Sequence, residues 1–170
     1  MKAFTRMLLL MTVVLFSACN DEGDDYYSYD LLGTVFETTG TFSSSNDYTL
    51  YFEFPSSFEV YDGDVVMVYI LWEQTSSGDD VWRPLPQSVF LTDGSFQYNF
   101  DYTLYDVQIY VEANFDRSEL ASADLQNQTF RIAVIPADLY KSGTVDIRDY
   151  NAVMKASRLS SDKLTLKTVS

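Results

Sequence analysis

Beyond residue 30 the chain alternates apolar and polar positions every second residue, the period of strands with one buried face. Leu31–Phe42 reads as a first strand bent at Gly40, and Ser43-Ser44-Ser45-Asn46-Asp47 as a turn. Thr49–Phe54 sets Leu50, Phe52 and Phe54 on one side; Pro55 and Tyr61-Asp62-Gly63-Asp64 bracket an irregular stretch around Phe58. Val65–Glu73 breaks the alternation. Val66, Val68, Ile70 and Trp72 form one apolar face, and Val65, Met67, Tyr69 and Leu71 the other. Such a strand is expected to be central and covered from both sides, with Trp72 in the core.

Thr75-Ser76-Ser77-Gly78-Asp79-Asp80 predicts a hairpin loop into Val81-Trp82-Arg83. Pro84 and Pro86 cannot donate to a ladder, which predicts an edge strand or a crossover. Val89–Leu91 and Ser95–Asp101 flank Thr92-Asp93-Gly94, where Asp-Gly is expected to take the positive φ of a tight turn. Asp106–Ala113 turns Val107, Ile109 and Val111 inward. Asn114–Gln128 is a polar loop with a short helical piece, and Phe130–Ile135 is a further strand. Thr144 is the expected cap of a helix from Val145 to Ala156, since Ile147, Tyr150 and Met154 fall at i, i+3 and i+7. Leu164–Val169 closes the pattern as a last strand. Together these predict a mainly β fold: a β-sandwich, immunoglobulin-like or similar, of seven to eight antiparallel strands with one short C-terminal helix.

The first residues follow another rule. Lys2 and Arg6 precede an apolar segment of about ten residues, Met7 to Phe16, and then Ser17-Ala18-Cys19, the order of a secretory signal. A membrane span takes about 20 apolar residues, and the acidic run that follows would not enter a bilayer. Leu15-Phe16-Ser17-Ala18-Cys19 resembles a lipobox, departing from it at Phe16, where Leu is usual. Cys19 is the one cysteine of the chain, so it has no internal disulfide partner. The resemblance implies lipidation at Cys19. Asp21-Glu22-Gly23-Asp24-Asp25 is similar to the acidic export signal of Bacteroidota-type surface-exposed lipoproteins, and reads equally as a solvated tether. Phe130–Asp138 and Asp149–Met154 also look like lipoproteins of that phylum. The implied organisation is a signal peptide over residues 1–18, a tether over 19–30 and one sandwich domain over 31–170. The implied address is the cell outer membrane, with the domain held by lipid and facing the exterior.

Charge narrows the partners. Without Lys2 and Arg6, nine of the 11 basic residues remain against 25 acids, a net of −16. From Cys19 to Phe130 only Arg83 and Arg117 oppose the acids, whereas basic residues outnumber acids from Arg131 onward. Such a field repels phosphate backbones, so no nucleic-acid partner is expected. Basic partners or cations are attracted, though solubility explains an acidic surface as well.

Chemistry is sparse. There is no histidine, which removes the usual nucleophilic triads and the commonest zinc ligand. No Gly-rich phosphate loop is present. Carboxylate chemistry of the glycosidase kind remains, but among so many acids a plausible pair arises by chance. No enzyme activity and no cofactor are therefore expected. Asp138 to Asp149 resembles a dockerin or EF-hand calcium loop, which would draw on Asp138, Ser142, Thr144, Asp146 and Asp149; Tyr140 and Lys141 depart from that pattern. A plain helix start with Asp146 in its positive first turn explains the same residues, and no metal is expected. With 13 Tyr, 12 Phe and two Trp, aromatic stacking is the other candidate chemistry. Trp82, Tyr102 and Tyr105 fall in or beside loops, where rings can stack on sugars. The expected function is a surface-anchored, non-catalytic module for a glycan or protein ligand. The alternatives are a structural or assembly component of the envelope and a carboxylate glycosidase.

Overall fold

Among the described residues ten strands form, all but the ninth at segments where the alternation predicts a strand, with three short α-helices between. The computed structural model describes residues 32–160, 162 and 164–167; the leader, Cys19 and the acidic tether lie outside the described residues. The strands are β1 (Gly33–Gly40), β2 (Thr49–Glu53), β3 (Val65–Gln74), β4 (Asp80–Pro84), β5 (Gln87–Leu91), β6 (Gly94–Tyr102), β7 (Asp106–Ala113), β8 (Gln128–Ile135), β9 (Ser157–Leu159) and β10 (Thr165–Lys167). The helices are α1 (Ser122–Leu125), α2 (Ala137–Lys141) and α3 (Tyr150–Lys155). Among the described residues no helix is long and apolar enough to cross a membrane.

The strands make two five-stranded sheets, ordered β4-β3-β8-β1-β9 and β10-β2-β7-β6-β5. Every pairing is antiparallel except β1 with β9. The fold is thus a β-sandwich. The strand count exceeds the expected seven or eight; β10 falls within the predicted last strand Leu164–Val169, whereas β9, only three residues long, is too short to register as a period.

The sheets pack through the faces the alternation assigned. Leu50, Phe52, Val107, Ile109 and Val111 of the second sheet meet Val66, Val68, Ile70, Phe130 and Ile132 of the first, all at 3 % exposure or less. Phe36, Phe54 and Phe58 cluster at one end, with centroids 4.9 to 5.7 Å apart. Truncating any fully buried phenylalanine here would cost about 3–5 kcal/mol.

β3 is central and covered on both sides, as its two apolar faces require. Its second face, with β1 and β8, contributes Val35, Tyr69, Ala133 and Ile135 to a second core. The segment from α2 to α3 closes that core with Val145, Val153, Leu139, Ile147 and Met154. Trp72 lies half-buried at the margin of the main core, beside a register shift between Leu71 and Glu73, with the Arg83 guanidinium 4.0 Å above its ring. β4 is an edge strand ending at Pro84, and the chain then crosses to the other sheet at β5. Edge and crossover both occur.

Three local expectations change. The β5–β6 hairpin pairs Leu91 with Gly94, so its two turn residues are Thr92 and Asp93. Neither Asp93 nor Gly94 has positive φ. Glycine serves there by close approach: a Cβ on Gly94 would lie 2.6 Å from Asn114 Oδ1 and 2.8 Å from Phe115. The predicted helix from Val145 is replaced by turns up to Asp149, because Asp146 binds the Arg148 amide at 3.0 Å, an alternative to helical bonding. Asp149, not Thr144, caps α3, accepting from the Asn151 amide at 2.9 Å. Ile147, Tyr150 and Met154 still face the second core.

Candidate functional site

Trp82, Tyr102 and Tyr105 are not brought together. Trp82 lies in β4 of the first sheet, on the side covered by α3. Its ring stacks on Tyr150 at 6.2 Å and 15°, and Arg131 sits 4.1 Å over it. Arg131 also bonds Glu37 at 2.9 Å and the Tyr150 hydroxyl, so this aromatic group is a closed packing unit. Tyr102 ends β6, 46 % exposed and stacked on Phe100 at 6.4 Å. Tyr105, 74 % exposed, belongs to the β6–β7 turn beside Phe54 and Phe58.

The residues of the calcium-like loop have other partners. Asp138 lies in the first turn of α2. Ser142 and Thr144 bond each other through their hydroxyls at 2.7 Å. Asp146 is paired with Arg148 at 3.0 Å, which holds its carboxyl below the usual range, and Asp149 caps α3. Among the described residues no three acidic or thiol side chains converge on a point where a metal could sit.

The surface of most chemical content is one that alternation marks only as solvated: the outer face of the second sheet. None of its side chains is buried. The registers set them out in rows across the strands. Phe90 of β5 faces Ser95 of β6, and Asn114 bonds the Ser95 amide at 2.8 Å. The next row is Ser88, Gln97 and Glu112; then come Asn99, Tyr110 and Thr49; then Asp101, Gln108, Tyr51 and Lys167. The face therefore carries aromatic rings among side-chain amides and hydroxyls.

Its side chains are tied together. Gln97 donates to Ser88 Oγ at 2.7 Å, and the Asn99 amide donates to Glu112. Slight burial, then the Asp101 and Glu112 charges beside it and a hydrogen bond to Asp101, pushes the Tyr110 phenol upward. A shallow groove of about 290 Å³ opens between Phe90, Gln97, Glu112 and Asn114. Phe90 is 84 % exposed and forms its apolar wall. Among the residues lining the groove Glu112 is the one carboxylate, whereas glycoside hydrolysis takes two across a scissile bond. What the surface can do is stack an apolar ring face while amides bond to hydroxyls.

Sequence reasoning passed over Tyr51, Phe90 and Tyr110. Their one local signal is aromatic or apolar character at polar-phase strand positions, most visible at Phe90 in the uncharged run Gln87–Leu91. Comparison with family models, curated proteins and solved structures finds no match to this chain.

Proposed function

We propose that this chain is a lipid-anchored protein of the bacterial envelope that displays a non-catalytic, glycan-binding β-sandwich at the cell surface. The observation that carries the binding reading is the outer face of the second sheet, where Phe90, Tyr110 and Tyr51 stand among Gln97, Asn99, Gln108 and Asn114. Aromatic faces bind the C–H side of a sugar ring, and amides replace water at its hydroxyls. The anchor rests on the lipobox-like run ending at Cys19. A single acyl chain holds marginally, so stable attachment needs more than one.

A glycan array probed with the full chain should register neutral saccharides, and Phe90→Ala should reduce those signals at least tenfold. An array blank for every neutral saccharide would end the binding reading. Mass spectrometry of the protein from intact cells should find acyl groups on Cys19; a bare thiol or an attached leader would remove the anchor.

A second reading, an assembly component, draws on the β5 edge. Gln87–Leu91 has no charge to discourage pairing, and Phe90 and Leu91 are exposed along it. That reading expects a concentration-dependent dimer in sedimentation, abolished by Ser88→Lys, which charges the edge without entering the core.

A further inference from the structure

Three aromatic residues and one amide of the open face fall on a single diagonal. Phe90 is on β5; Gln97 is one row on, on β6; Tyr110 is one row further, on β7; and Tyr51 is one row further again, on β2. Each step moves one strand across and two residues along. With strands about 4.8 Å apart and a rise of about 3.4 Å per residue, each step is about 8 Å. From Phe90 to Tyr51 the line runs about 25 Å. The next position on it is Thr165 of β10, so it crosses the whole sheet.

We infer that this diagonal is a binding track for a linear, neutral polysaccharide, gripped along its length and not at a chain end. The inference rests on the glycan-binding reading and extends it. The groove beside Phe90 covers only the first part of the line, so it would hold one or two sugars, and Tyr110 and Tyr51 then lie beyond its rim.

Charge selects within the class. Glu112 and Asp101 flank the line on either side of Tyr110, and Lys167 is already paired with Glu53 at 2.6 Å. An acidic polysaccharide would bring its carboxylates against these acids, and among the described residues of this face the one cation, Lys167, is already engaged. An extended peptide fits less well, because peptides gain affinity from main-chain bonding at a strand edge and this track crosses the face, where backbone groups are bonded within the sheet.

The test is calorimetry of the full chain against cello-, xylo- and manno-oligosaccharides of two to six units, with oligogalacturonate as the acidic control. In at least one neutral series, affinity should rise roughly tenfold or more from the disaccharide to the hexasaccharide, with oligogalacturonate at least tenfold weaker. Tyr51→Ala should cancel most of that rise, and Tyr51→Phe, which keeps the ring, should preserve it. Affinity flat beyond the disaccharide, or a hexasaccharide indifferent to Tyr51→Ala, overturns the track and leaves a short glycan site standing. Absence of binding at every length in all three neutral series overturns the track together with the glycan reading.

Discussion

The two sheets have opposite outer faces. On the first sheet that face is apolar, carrying Val35, Tyr69, Ala133 and Ile135, and the segment from α2 to α3 covers it with Val145, Val153 and Met154. On the second sheet it carries tyrosines, amides and acids, and no described helix covers it. The difference originates in strand pattern. β3, and β8 from Ile132 onward, are apolar in both phases, so leaving either face wet would expose a broad apolar patch. β6 and β7 alternate strictly, so one face suffices for the core and the other is left to solvent. One sheet's outer face is closed by packing, and the other's stays open to solvent.

Placing a charge on each face should separate them most sharply. Val153→Asp puts a carboxylate at a fully buried position inside an apolar core, and should cost about 4 kcal/mol or more. Gln108→Asp on the open face should stay within about 0.5 kcal/mol. Equal losses by denaturant titration would refute the distinction between covered and open faces.

Gly33→Ala comes next. β9 lies parallel to β1 with Ser157 opposite Gly33, and an added Cβ would come 2.4 Å from Ser157 Oγ. Overpacking should cost about 2 kcal/mol, read as a lowered midpoint.

Tyr69→Phe should move stability the other way. The Tyr69 hydroxyl is buried beneath α3 with no hydrogen-bond partner among the described residues, so removing it should gain about 1 kcal/mol. Burial, then the nearness of Tyr150 and Asp149, pushes this phenol from the ordinary 10 to about 12. Between those values the unfolded chain has released the proton and the folded one has kept it, so stability falls as pH rises from 10 to 12. Tyr69→Phe should remove that part of the alkaline loss; an unchanged pH profile would count against a buried phenol.

The smallest expected effect is that of calcium. With Asp146 held by Arg148 and Asp149 capping α3, added calcium or a chelator should leave the melting midpoint where it was. A clear upward shift with calcium would mean that the segment from Asp138 to Asp149 rearranges to bind it.

Much of the fold was legible in short stretches. Leu50 and Phe52, or Val107, Ile109 and Val111, declare their buried side because side chains alternate strictly along a strand. The double-faced run at β3 declared a central strand. The site was not legible in that way. Tyr51 and Tyr110 look like ordinary polar-phase residues, and Trp82 looked available until Tyr150, brought close by α3, and Arg131 closed over it. Aromatic character marks a ring without saying what will pack on it.

By itself, then, the sequence determined the strands, their inward faces and the mainly β class, since these follow from a two-residue period acting within each segment. Only the tertiary structure decided that β5, β6, β7 and β2 are successive neighbours and that Phe90, Gln97, Tyr110 and Tyr51 share a diagonal. It also decided that Asp149 caps α3 where Thr144 was expected to, and that the α2–α3 segment covers the first sheet and not the second. The physical reason is that strand pairing and helix docking join residues far apart in the chain, and a local period carries no record of which partner lies across the ladder.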